Sequence, residues 1–281
     1  MVSNRIDVKK TYKLFINGAF PRTESGRTYE VKSATGVFIA NPCLASRKDL
    51  RDAVVAARAA HHGWDKATAY NKGQILYRIA EMLEGRRAQF VDEIVCLTGV
   101  TQARADKEVT DSLDRLVWYA GWSDKLSSLS GALNPVAGPY YNFTVPESMG
   151  VVAAIAPELP SLLGLIDAIA PIIVGGNTVI VLASTKAPLS AMSFAEVLAT
   201  SDVPAGVVNI LTGKKDELAP WMASHMDIDG IDITGLPVKL HGEMRIAGAE
   251  NLKRIYSFKS ANPGRILAFL ENKTVWHPIG L

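Results

Sequence analysis

From Gly150 onward the sequence keeps a rhythm that leaves few architectures open. Residues 150–156 (GVVAAIA) are a short, continuous apolar run. A turn follows, then apolar residues 160–174 at helical spacing, then Gly175-Gly176. The pattern repeats as strand 178–182 and helix 188–200, strand 207–211 and helix 215–224, and strand 228–233. Strands separated by whole helices cannot pair as hairpins, so they predict a parallel sheet joined by crossover helices and buried on both faces. The expected class is α/β, doubly wound.

Upstream the signals differ. Asn17-Gly18 and Ser25-Gly26 lie between short strand-like runs in residues 12–32, and Asn-Gly between apolar flanks predicts a hairpin. Ser46 with Asp49 three residues later predicts a capping box, opening a helix with Leu50, Val54, Ala57 and His61 on one stripe. Residues 70–97 and 102–126 also carry helical spacing, the second with Leu113, Leu116, Val117 and Ala120 on one side. Helical pattern stops at residues 135–139, and 140–147 (YYNFTVPE) has strand composition. After Thr234-Gly235 the rhythm fails, with room for one short strand or helix before a strand near 270–276.

Composition removes several function classes. The chain has 281 residues and a net charge of +2, with both signs interspersed, which predicts neither nucleic-acid nor membrane-surface binding. Its two cysteines, Cys43 and Cys96, form no metal-type cluster and point to a reducing, cytoplasmic setting. The opening residues MVSNRIDVKKTYKLF lack an apolar core, so no signal peptide is expected. The apolar window from Gly150 to Gly176 is long enough for a membrane span, but Glu158, Asp167 and three prolines argue for strand, turn and helix.

Motifs for chemistry are missing. No GxGxxG occurs, and Gly213-Lys214-Lys215 echoes a P-loop only until Val208, which stands where that loop needs a glycine. His61 and His62 are adjacent and point apart on a helix, while His225, His241 and His277 are isolated. Nothing near Cys43 offers a base, Cys96 reads as a buried small hydrophobe, and no Gly-x-Ser-x-Gly elbow exists. No catalytic or metal-binding residue is assigned.

The run GVVAAIAPELPSLLGLIDAIAPIIVGGNTVIVLASTKAPLSA resembles the cofactor-binding segment of the NAD(P)-dependent aldehyde dehydrogenase superfamily. VPAGVVNILTG (203–213) and SHMDIDGIDITG (224–235) continue the likeness in order, and LFINGAF…SGRTYEV…NP matches its opening, so it covers about 1–235. The resemblance implies a Rossmann-like cofactor-binding domain over 1–235, with the first oligomerisation strands near 140–147. A remnant linker would then occupy 236–268 in place of a catalytic domain. FLENKTVWHPIG resembles the family's C-terminal pairing strand, giving an oligomerisation tail at 269–281.

The resemblance also locates departures. The family's Trp-Asn after the Ile-Ala-Pro turn, whose Asn helps hold an oxyanion, is here Glu158-Leu159. Its Lys-Pro-Ser-Glu, which meets the adenosine ribose, falls on Leu182, Ala183, Ser184 and Thr185. Its Phe-Thr-Gly-Ser turn is Ile233-Thr234-Gly235-Leu236; no Glu-Leu-Gly-Gly occurs, and no cysteine follows Cys96. The vestigial groove is therefore expected at Ile155, Pro157, Glu158, Leu159, Leu182, Thr185, Thr234 and Gly235, with NAD binding weak or lost because Glu158 would repel phosphate. A subunit interface is expected at Phe143, Val145, Thr274, Val275 and Trp276. The pattern resembles the degenerate second module of two-module aldehyde dehydrogenases. It implies a pseudoenzyme that forms a homodimer or pairs with a catalytic paralogue. Two other readings stay open. One is a small-molecule or nucleotide binding module that uses the groove. The other is aldehyde oxidation with the nucleophile supplied in trans.

Overall fold

The computed structural model describes residues 9–280; residues 1–8, the first part of the stretch in which no signal peptide is expected, and Leu281 lie outside them. In chain order the elements begin with β1 (Val31–Lys32), β2 (Phe38–Ala40), α1 (Arg47–Asp65), α2 (Ala69–Glu84), α3 (Arg87–Thr98), α4 (Gln102–Ala120) and α5 (Leu126–Ser130). Next come β3 (Ala132–Leu133), β4 (Tyr140–Ser148), β5 (Val151–Ile155), α6 (Ser161–Val174), β6 (Thr178–Leu182), α7 (Leu189–Leu198), β7 (Val208–Leu211) and α8 (Lys215–Ser224). The last are β8 (Gly230–Asp232), α9 (His241–Ala249), β9 (Arg254–Tyr256), α10 (Gly264–Leu267) and β10 (Leu270–Pro278).

The expected parallel sheet is present, in the order β7-β6-β5-β8-β9. Alternation along each strand feeds two cores. Val152, Ala154, Val179 and Val181 pack with α2, α3, α4, α6 and α7, while Val151, Ala153, Ile155 and Ile180 pack with α1 and α8. Helix α6 is buried almost all round, between the sheet and α4, which explains its membrane-like composition. Among the described residues no helix is long and apolar enough to cross a membrane. The chain moves from β5 outward to β6 and β7, then returns to β8 on the other side of β5. That reversal opens a crevice at the C-terminal ends of β5 and β8.

Residues 236–268, expected as a linker, hold more structure than that word implies. Helix α9 and strand β9 add a fifth parallel strand beside β8. The rhythm continues here in a form too short and too charged to be read from periodicity. Lys253 anchors the turn before β9, its Nζ donating to the carbonyls of His225 (2.8 Å) and Ile228. Burial, opposed by Asp229, pushes its pKa down to about 8. Between that value and the ordinary lysine pKa of about 10.4, the unfolded chain holds the extra proton, so stability rises with pH. Urea midpoints are expected to climb from pH 8 to 9.5, and Lys253→Met should flatten the climb. An equal climb in the variant would remove Lys253 as its source.

The N-terminal half follows its local signals. Asn17 and Gly18 both adopt positive φ, and Ile16 and Ala19 exchange backbone hydrogen bonds across them. Ser46 and Asp49 form the capping box, and Asp49 also accepts from Thr23 Oγ1 at 2.6 Å, tying the entry segment to α1. Two expectations are corrected. The 70–97 pattern breaks into α2 and α3 around Gly85 and Arg86, and Val117 faces outward while Val109, Ser112, Leu116 and Tyr119 are buried.

A second, antiparallel sheet has the order β10-β4-β3. β10 pairs along its whole length with β4 of its own chain, from Leu270↔Ser148 to Pro278↔Tyr140. Opposed residues share a face. Phe143, Val145 and Val275 therefore lie on one face with Leu133 and Tyr141, and Thr274 and Trp276 on the other, where Trp276 meets Tyr140 edge-on. The five expected interface residues thus divide between two faces. The outer edge of β10 pairs with nothing among the described residues.

Candidate functional site in the cleft between the strand ends

Leaving β5, the chain passes through Ala156, Pro157, Glu158 and Leu159 before entering α6. The Glu158 carboxylate does not face the crevice as a bare charge. It lies 2.7 Å from Lys215 Nζ, accepts from the Lys186 N–H at 3.0 Å, and lies 2.9 Å from Ser184 Oγ. Burial alone pushes Glu158 up, but these donors outweigh it and hold the carboxyl below its usual range. Lys215 pulls the other way, its burial lowering it against Glu158. The donors on Glu158 and the carbonyls around Lys215 favour the ionised pair. Glu158 is thus not the unpaired charge from which repulsion of phosphate was expected: it is paired with a residue in the Gly213-Lys214-Lys215 run that failed as a P-loop.

Lys215 does more than pair. Its side chain is 7% exposed, and Nζ donates to the carbonyls of Ala156 (2.6 Å) and Gly235 (3.2 Å). One ammonium thus joins the end of β5 to the turn after β8, across the switch-point crevice. Gly235 closes the same seam, donating its N–H to Ile155 O at 2.8 Å.

A cavity of about 660 Å³ remains outside this seam. Of the expected groove residues, Pro157, Glu158, Thr185, Thr234 and Gly235 line it. Ile155 and Leu182 are buried beneath, and Leu159 is exposed at the side. The Thr185 hydroxyl is turned inward to Gly213 O at 2.8 Å, and Thr234 donates to Asp232. Sequence reasoning missed Lys186, Lys214, Lys215 and Lys239, which all line the cavity. The first turn of α6 is also taken, because Leu162 N–H donates to the Glu108 carboxylate at 2.8 Å. A second cavity of about 680 Å³, where Arg47 stacks over Trp221, shares no lining residue with the cleft. Cys43 is buried and Cys96 half-buried; neither lines the cleft. His61 bonds Ser148 Oγ, which in turn donates to Asp65, so that hydroxyl is not activated by the imidazole.

Comparison with known proteins fits this geometry. Residues 20–257 match the model of the aldehyde dehydrogenase family. The chain belongs to that family. The match runs past residue 235, where the first stretch of sequence resemblance ended, and takes in α9 and β9. Cytosolic 10-formyltetrahydrofolate dehydrogenase of Xenopus tropicalis is 32% identical over 259 residues, which are 90% of this chain and 28% of the relative. Retinal dehydrogenase 2 of Gallus gallus is 34% identical over 255 residues, 89% of this chain and 48% of the relative. The chain thus spans about half or less of the curated relatives it matches. The solved NAD+ complex of Bacillus cereus aldehyde dehydrogenase superposes with a TM-score of 0.82 at 27% identity, covering 88% of this chain and 50% of that one.

Proposed function

We propose that this aldehyde dehydrogenase family member is non-catalytic and serves as an assembly or regulatory subunit, pairing with itself or with a catalytic member. The carrying observation is the ion pair Glu158–Lys215, which fills the seam between β5 and β8 with the chain's own charges. Around it Leu182 is buried and apolar and Thr185 is spent on Gly213, which supports the loss of dinucleotide binding, and the Leu159 side chain has no donor to hold an oxyanion. The β10-β4-β3 sheet supports the assembly half of the reading. Its free edge is a template for pairing, and Tyr141, Phe143 and Val275 give one face apolar area.

Aldehyde oxidation with NAD or NADP is expected to stay at background, and turnover by the purified chain would end the non-catalytic reading. Light scattering of the chain, alone and mixed with a catalytic family member, tests the rest. Association in either sample is expected, and Val275→Arg should weaken it at least tenfold by placing an unpaired charge on the apolar face. A strictly monomeric chain that ignores the catalytic member would remove the assembly role.

A further inference from the structure

Building on the non-catalytic reading above, we infer that Lys215 is an autoinhibitory clasp: its side chain occupies the crevice between the ends of β5 and β8, and this occupancy, not charge, shuts a dinucleotide out. A lysine ammonium has three N–H groups and no acceptor. In Lys215 they meet Ala156 O at 2.6 Å, Gly235 O at 3.2 Å and the Glu158 carboxylate at 2.7 Å. No N–H is left over for a phosphate, so this ammonium works as a wedge and not as a ligand. Charge gives no barrier of its own, because Glu158 and Lys215 offset each other.

The walls leave no room for the clasp and a ligand together. Gly235 N–H donates to Ile155 O at 2.8 Å, which joins the turn after β8 directly to the end of β5. A Cβ on Gly235 would lie 2.1 Å from Ala156 O, so not even a methyl group fits between them. In open α/β sheets a dinucleotide lies outside the strand ends at the switch point and draws on free N–H groups there. Here Glu158 takes the Lys186 N–H at 3.0 Å, and Glu108 takes the Leu162 N–H at 2.8 Å. The hydroxyls are taken too, Ser184 by Glu158 and Thr185 by Gly213. A ligand can enter only when Lys215 withdraws. Withdrawal strands its acceptors, one of them a carboxylate, around a side chain that is 7% exposed. The closed state therefore dominates, and apparent affinity falls with the fraction of molecules in which the clasp is open.

Isothermal calorimetry of the full chain with NAD tests the clasp in two double variants that differ at one side chain. Lys215→Ala with Glu158→Gln removes the ion pair and empties the crevice. Lys215→Met with Glu158→Gln removes the same charges and keeps the apolar stem in place. NAD is expected to bind the alanine variant at least tenfold more tightly than the parent, and the methionine variant within about threefold of the parent. Thermal melts show whether each variant folds. Equal gains in both variants would make the charges the barrier, and no gain in a folded alanine variant would place the barrier in other residues; either result overturns the inference. The parent chain supplies a test that needs no variant: saturable micromolar binding of NAD would show that Lys215 bars nothing. Such binding without turnover would end this inference and leave the non-catalytic reading standing, whereas turnover would end both.

Discussion

Arg265→Met is expected to remove about 3–5 kcal/mol of stability, because it strands a buried carboxylate. Asp232 ends β8 with a side chain 2% exposed, and Arg265 on α10 meets it at 2.7 Å with a side chain 5% exposed. The guanidinium also lies over the Phe258 ring at 4.8 Å. Without Arg265 the carboxylate keeps only the bonds from Thr234. The pair is itself incompletely satisfied, since Arg265 Nε is buried without a partner. That predicts a second result: Asp232→Leu combined with Arg265→Met should recover most of the loss, as apolar replacements of buried pairs often do. Urea midpoints of the two single variants and the double variant measure both effects. A single-variant loss under about 1 kcal/mol would place the pair among weak surface bridges. Since α10 leads directly into β10, Arg265→Met is also expected to loosen the pairing sheet and to lower any association that uses it.

What could be read from the sequence was local. The capping box at Ser46 and Asp49, the Asn17-Gly18 turn and the strand–helix alternation from Gly150 depend on neighbours in the chain, and each took its expected form. What could not be read depends on distant partners. Glu158 looked like an exposed, repelling charge because its counter-ion, Lys215, arrives two crossovers later. Strand β9 has only three residues, Arg254, Ile255 and Tyr256, too few for a period to declare itself; parallel pairing with β8 makes it a strand. Val117 fitted a helical stripe by spacing, yet the stripe facing α6 and α2 is rotated toward Leu116 and Tyr119. The likeness to a family located the cleft, but the lysines in its wall have no counterpart in the family motifs compared, and only the folded chain brings them together.

Gly235→Ala is the substitution expected to damage the cleft most. A Cβ at this position would sit 2.1 Å from the oxygen and 2.2 Å from the carbon of the Ala156 carbonyl, and 2.4 Å from Ile155 O. All three are backbone atoms at the end of a central strand, so no rotamer change relieves the contact. The turn would have to withdraw, breaking the Gly235 N–H bond to Ile155 O and pulling the Gly235 carbonyl away from Lys215. Lys215 would then keep its charge near Glu158 and Ala156 with one acceptor fewer in a buried place. A loss of about 3 kcal/mol or more is expected, since strain in a packed backbone adds to lost hydrogen bonds. Gly63→Ala is the matching control. Gly63 lies inside α1, and a Cβ there meets nothing within 4 Å. Relief of glycine's backbone entropy should stabilise that variant by about 0.5–1 kcal/mol. Thermal melts of the two variants would separate the causes: equal and small shifts would mean that the seam between β5 and the β8 turn is loose enough to admit a methyl group. Opposite shifts would mean that close backbone contact holds the cleft shut, with Lys215 as its clasp.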